Sequence, residues 1–178
     1  MVELRDYDFS TVSATQDAIR LECIAQGLTL SAQIAYVLAT VEWETAGTFK
    51  PVKEAFWLGE DTRKRKLRRY WPYEGRGFVQ ITWRDNYEKF SDLLGVDMID
   101  DPADPNDNDD PNKALEPKIA LFILVYGFKE GLFTGRRLTD YVDVRKVDFV
   151  HARRCINGMD HAADIAKLAD KYLEKFER

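Results

Sequence analysis

The sequence of 178 residues predicts a mainly α-helical protein. Three observations carry that expectation. Apolar residues recur at helical intervals along much of the chain. Glycines stand where the periodic stretches stop. The composition, 45% hydrophobic and 32% charged, is that of a globular chain with a buried core and not of a disordered one. The length suits one domain, residues 1–178.

Ser13 and Gln16 have the spacing of a capping box. Ala14, Ala18, Leu21, Ala25 and Leu28 follow at helical intervals, and Gly27 sits where this helix would end. A second helix begins near Thr29 or Ser31, with Leu30, Ile34, Val37, Leu38 and Val41 on its apolar face and Gly47 as its stop. Residues 48–83 are less regular and hold three of the four Trp, together with Pro51, Pro72, Gly59, Gly75 and Gly77. Aromatic-rich irregular chain in a helical protein is where a binding cleft is built, and residues 70–83 are expected to add a short β-hairpin to its wall. Helical spacing returns from Arg84 to Leu94, stopped by Gly95. Residues 97–110 hold seven Asp and no Lys or Arg, and four of the six prolines fall between Pro102 and Pro117, so 97–112 reads as an Asp- and Pro-rich surface loop within the domain. Pro117 suits the first turn of a helix running to about Glu130. The apolar run Ile119–Phe128 is too short to span a bilayer and reads as a buried helix. Two further helices are expected around Val147–Ile156 and Ala162–Phe176, with Asn157 and Gly158 as the turn between them.

The formal charge of −5 argues against a dedicated nucleic-acid binder. Two cysteines, Cys23 and Cys155, exclude a disulfide scaffold and fit a reducing compartment. The start of the chain shows no secretory signal, so synthesis and residence in the cytoplasm are expected. His151, His161 and Cys155 are too few for a zinc site and read as structural. The Asp-rich loop lacks the Gly and terminal Glu of a calcium-binding hand. No metal, cofactor or phosphate-cradling loop is expected. Residues 63–69 read RKRKLRR, six basic residues in seven. They form either a patch for anionic envelope polymers or a solvated helical face.

The residue with most chemical content is Glu44. It continues the spacing of Leu30, Ile34, Val37 and Val41, so it projects from the apolar face near the end of its helix. Partial desolvation and the negative end of the helix dipole both favour the protonated form. Such a carboxyl can serve as a general acid. The plainer reading is a Glu that reaches past the core edge to a Lys or to water.

The surrounding sequence favours the first reading. Residues 44–54 read ETAGTFKPVKE and residues 75–82 read GRGFVQIT. In this order and spacing, and with Ile156-Asn157-Gly158 near the end, these segments resemble glycoside hydrolase family 19, which contains the plant-type chitinases and many phage and prophage endolysins. KEGLFTGRRL (129–138) and DFVHARRCINGMD (148–160) are similar to the endolysin branch. The resemblance implies a lysozyme-like, two-lobed helical fold with a substrate cleft. It implies hydrolysis of β-1,4 bonds in the peptidoglycan glycan strand by an inverting mechanism, causing host-cell lysis. Glu44 matches the general acid. Glu54 is the first candidate for the base, with Glu60 as the alternative, and Thr82 matches the residue that helps hold the attacking water. Gln80, Asn86, Tyr87 and Asn157 match sugar-contacting positions, and Arg76 lies inside the motif in what reads as a structural role. Trp57 and Tyr73 are added as substrate-binding aromatics. Tyr70, Trp71, Phe78 and Trp83 are further stacking candidates, with core packing at least as expected for Phe78 and Trp83.

Two positions depart from the chitinase pattern. Trp43 stands where a His usually precedes the acid, and Ile165 stands where an Arg usually follows the Ala-Asp pair, here Ala163-Asp164. The second change implies a different set of contacts around the acid. A chitinase and a catalytically inactive glycan-binding module are the alternatives. The expected partner is the peptidoglycan glycan strand, with no nucleic acid and no membrane insertion, and the expected state is a monomer. An enzyme of this kind would wait in the host cytoplasm and reach the wall only after release.

Overall fold

The computed structural model describes residues 2–100 and 110–177. It is mainly helical, with seven α-helices and one two-stranded sheet among the described residues. Helix α1, Val12–Gln26, is capped by Thr11 and not by Ser13: the Thr11 hydroxyl accepts from the Ala14 N–H at 3.0 Å. It ends at Gly27, whose φ of 94° is open to glycine at little cost.

Helix α2, Ser31–Glu44, is buried continuously from Ala32 to Val41, and it packs chiefly against α7, Ala162–Phe176. Helix α5, Pro117–Glu130, carries the expected apolar run and is buried from Ile119 to Val125. A helix apolar on all sides has to lie inside the protein, and each fully buried Leu, Ile or Phe there contributes about 1.5–3 kcal/mol. Among the described residues no helix is long and apolar enough to cross a membrane. Gly127 lies in α5 because a Cβ there would stand 2.0 Å from the Phe133 ring. That close approach seats Phe133 against Phe128 and Phe90.

The segment between α2 and α4, Arg84–Leu94, holds the sheet and the short α3, Glu60–Lys66. Strand β1, Val52–Lys53, pairs antiparallel with β2, Arg76–Gly77. The hairpin expected within 70–83 is reduced to a single bridge, Arg76 to Ile81. The paired strands come instead from segments more than twenty residues apart. Local pairing stops early because Gly77 and Gln80 take left-handed φ values of 94° and 55°, which fold the chain into a tight turn.

Arg76 anchors this region. It is 2% exposed, and its Nη1 donates to the carbonyls of Pro72 and Glu74 and to the Tyr87 hydroxyl at 2.9–3.0 Å. Its Nε donates to Asn112 Oδ1 at 3.0 Å. The fully buried Glu74 carboxylate is faced by Arg76, Lys53 and Arg63 at 3.2, 3.4 and 3.5 Å. One guanidinium thereby ties β2 to α4 and to the 3-10 turn Pro111–Leu115. The structural role expected for Arg76 matches these contacts.

Residues 63–69 split in two. Arg63 turns inward to Glu74 and Leu67 is buried, whereas Lys64, Arg65, Lys66, Arg68 and Arg69 are exposed. The helix expected over 147–156 is shorter than its periodicity implied. Val147 bridges to Val142, so α6 spans only Phe149–Ala152, capped by Asp148, and a 3-10 turn follows at Arg153–Cys155. Cys23 and Cys155 are free and buried, and burial pushes the Cys155 thiol up to about 12. The centre of the Asp-rich loop, 101–109, lies outside the described residues, so the expectations placed on it do too.

Candidate active site

Glu44 is the last residue of α2. The chain leaves the helix through Thr45, whose buried hydroxyl donates to the Val41 carbonyl at 2.7 Å and accepts from the Phe49 N–H at 3.0 Å. Gly47, with φ of 75°, returns its N–H to the Glu42 carbonyl at 2.7 Å. The Glu-Thr-Ala-Gly motif is therefore a helix exit locked by its own side chain and backbone. It leaves Glu44 at the edge of the core with 19% of its side chain exposed.

The apolar surroundings expected for Glu44 from its place on the helix are corrected by the structure, because a guanidinium faces it. Arg153 Nη1 donates to Glu44 Oε1 at 2.6 Å, and the Arg153 side chain is 5% exposed. Arg153 Nε also donates to the Asp160 carbonyl at 3.2 Å, which fixes the plane of the guanidinium. Sequence reasoning expected different contacts around Glu44 because Ile165 replaces an Arg, and Ile165 is fully buried in α7. It missed Arg153 as the cation. The only signal was the Arg pair just before Ile156-Asn157-Gly158, and nothing in the spacing said which Arg points inward. Replacing Arg153 by Met leaves Glu44 without its charged donor. The expected result is a loss of about 1–2 kcal/mol of stability, below the cost of breaking a fully buried pair because solvent reaches Glu44. Thermal unfolding of the Arg153→Met variant measures it.

Glu54 follows β1. Its N–H donates to the Gly75 carbonyl at 2.7 Å, and its Oε2 accepts from the Gly75 N–H at 3.0 Å. Its Oε1 accepts from the Tyr70 hydroxyl at 2.8 Å. Both partners are donors, so both carboxylate oxygens act as acceptors. Burial, and then the bond to Glu54, push the Tyr70 hydroxyl up to about 12, so it stays a donor through the neutral range. The first Gly of the Gly-Arg-Gly motif has a steric reason: a Cβ on Gly75 would lie 2.7 Å from Gln80 Oε1 and 3.2 Å from Glu54 Oε2.

Glu44 and Glu54 line one cleft of about 500 Å³. Gln80, Thr82, Asn86 and Asn157 line it as well. Gln80 Nε2 donates to the Val52 carbonyl at 2.6 Å, linking the cleft to β1. Thr82 donates to the Gln80 carbonyl at 3.0 Å, and Asn86 donates to the Thr82 carbonyl at 2.7 Å. Tyr70 and Trp83 add aromatic surface, with ring centroids 5.2 Å apart. Trp83 is 43% exposed with the Arg69 guanidinium 5.1 Å from its ring centroid, so it belongs to the cleft, whereas Phe78 is core at 1%.

Four expected site residues lie elsewhere. Tyr87 is fully buried; its hydroxyl donates to the Glu74 carbonyl at 2.7 Å, so it reaches no ligand. Tyr73 is buried against Tyr87, with ring centroids 5.3 Å apart. Both belong to the core, and neither lines the cleft. Their polarity misled, because a Tyr with a backbone partner packs as core. Trp57 is 73% exposed but outside the cleft. Glu60 also stands outside it, at the start of α3 with 64% of its side chain exposed and Lys64 at 2.9 Å. The hydrogen bond and charge of Lys64 hold the Glu60 carboxyl below its usual range. His151 pairs with Asp148 at 3.0 Å, and no group of three or more metal-ligating side chains occurs among the described residues.

The arrangement offers two carboxyl groups from different chain segments, a hydroxyl, three side-chain amides and an aromatic edge along one open groove. That set suits a polar polymer whose bond is cut between a proton donor and a water-activating acceptor. Comparisons with protein-family models, curated proteins and solved structures found no match.

Proposed function

We propose that the protein hydrolyses β-1,4 bonds in the glycan strand of bacterial peptidoglycan and so lyses a host cell. In this reading the fold is a lysozyme-like, two-lobed helical domain of the family 19 type. The observation that carries it is that Glu44 and Glu54, the two carboxylates of the family-like motif, line the same groove as Thr82. Glu44 protonates the leaving glycosidic oxygen. Glu54 takes a proton from a water held with the help of Thr82, and that water attacks the anomeric carbon from the opposite face. An inverting reaction needs room for this water between the two carboxyls, a separation of about 6.5–9.5 Å. Placing them on separate segments suits that need better than adjacent helical turns would. Gln80, Asn86 and Asn157 supply hydrogen bonds to sugar hydroxyl and acetamido groups, while Tyr70 and Trp83 supply stacking.

The test is mass spectrometry of fragments released from purified sacculi, run beside colloidal chitin. The expected products are saccharide–peptide fragments with new reducing ends. Release of peptides with intact glycan strands would remove the glycosidase reading. Activity on chitin alone would replace the substrate.

A further inference from the structure

Phe56 and Trp57 are the most exposed aromatic side chains among the described residues, at 63% and 73%. They lie two and three positions beyond Glu54, yet neither lines the cleft. Their rings meet edge to face, 5.4 Å apart at 81°, so they form a projecting apolar knob and not one flat platform for a sugar. Directly after them comes the basic segment. Between residues 60 and 69 six basic residues stand against two acidic ones. Arg63 is drawn inward and Lys64 is paired with Glu60, which leaves Arg65, Lys66, Arg68 and Arg69 as exposed cations without an acidic partner among the described residues.

The turn that follows the knob is tied to the start of the basic segment. Arg63 Nη1 donates to the Leu58 carbonyl at 3.3 Å, and the Gly59 carbonyl accepts the N–H groups of Thr62 and Arg63. Helix α3 follows the aromatic pair directly; with seven residues it is about 10 Å long, so Arg65 and Lys66 come within one short helix of the pair along the chain. The chain as a whole carries −5, which makes this a local reversal of sign on an acidic molecule. Such a reversal orients a protein toward an anionic surface.

We infer that Phe56 and Trp57, with the exposed cations Arg65, Lys66 and Arg68, form a docking surface for an anionic lipid bilayer. The aromatics enter the headgroup boundary and the cations face lipid phosphates, the pairing by which peripheral proteins attach without spanning. A neutral glycan would satisfy the rings but not the charge. The inference stands independently of the glycosidase proposal, because lipid attachment needs neither carboxylate of the cleft.

Flotation of the full chain with vesicles tests it. Vesicles of phosphatidylglycerol and phosphatidylethanolamine are compared with vesicles of phosphatidylcholine. Binding is expected to the first and not to the second. Arg65→Gln/Lys66→Gln/Arg68→Gln is expected to weaken binding about 100-fold. Phe56→Ser/Trp57→Ser is expected to weaken it about tenfold or more. All these side chains are exposed, and thermal unfolding checks that each variant keeps the fold. Absence of binding to anionic vesicles would overturn the inference. So would equal binding by either variant and the wild type. Loss of sacculus co-sedimentation with vesicle binding unchanged would assign the surface to the wall instead.

Discussion

Replacing Glu44 with Gln is expected to lower the rate of glycan cleavage about a thousandfold or more, with KM changed little and the fold retained. The substitution keeps the shape of the side chain and an oxygen that can accept from Arg153 Nη1, now at 2.6 Å from Oε1. It removes the one thing an acid must supply, a proton delivered to the leaving oxygen. A loss confined to kcat is the mark of an interaction needed in the transition state and not in binding. Glu44→Gln and Arg153→Met both break the ion pair, so both are expected to lose about 1–2 kcal/mol of stability, and turnover is compared at a temperature where both variants stay folded. A loss of turnover in Glu44→Gln well beyond that in Arg153→Met is what assigns the proton to Glu44. Turbidity loss of permeabilised cells and single-digest product yields give the rate, and calorimetry gives the fold. Undiminished lysis by Glu44→Gln would take Glu44 out of the mechanism.

Much of the helical frame was legible in the sequence because burial imposes period. The apolar repeat and the stops at Gly27 and Gly95 located α1, α2, α4 and α5, and Ala162–Phe176 was bounded as expected. What periodicity could not reach was contact between distant segments. The β1–β2 pairing, the Arg153–Glu44 ion pair and the Arg76 anchor each join side chains or strands far apart along the chain. A local pattern carries no information about such partners. The same limit applies to the aromatic candidates. Tyr73, Tyr87 and Trp57 look alike as candidates for sugar contact, but two are buried, one is exposed, and none lines the cleft. Exposure is decided by the fold and not by the residue type. The motif glycines were more informative, since Gly75 leaves no space for a Cβ beside Gln80 and Glu54.

If the proposed reaction holds, the placement of Glu54 in the cleft and of Glu60 outside it favours Glu54 as the base. Glu54→Gln is expected to lower turnover by about 10²–10⁴, the usual worth of a positioned general base. Glu60→Gln is expected to stay near the wild type, because Glu60 stands outside the cleft and pairs with Lys64. Glu54 also accepts the Gly75 N–H, so a loss at 54 has to be shown not to come from a collapsed loop. Tyr70→Phe provides that control. It deletes the hydroxyl that donates to Glu54 Oε1 at 2.8 Å and leaves the Gly75 bond in place. If Glu54 is the base, Tyr70→Phe lets the carboxylate turn and lowers kcat by about tenfold, in keeping with one lost charge-assisted hydrogen bond. If Glu54 only braces the loop, Tyr70→Phe lowers the unfolding temperature and leaves kcat alone. Loss of activity in Glu60→Gln with Glu54→Gln active would move the base to α3. That outcome would require α3 to swing toward the groove when substrate binds, carrying with it the Arg63 side chain now held against Glu74 at 3.5 Å.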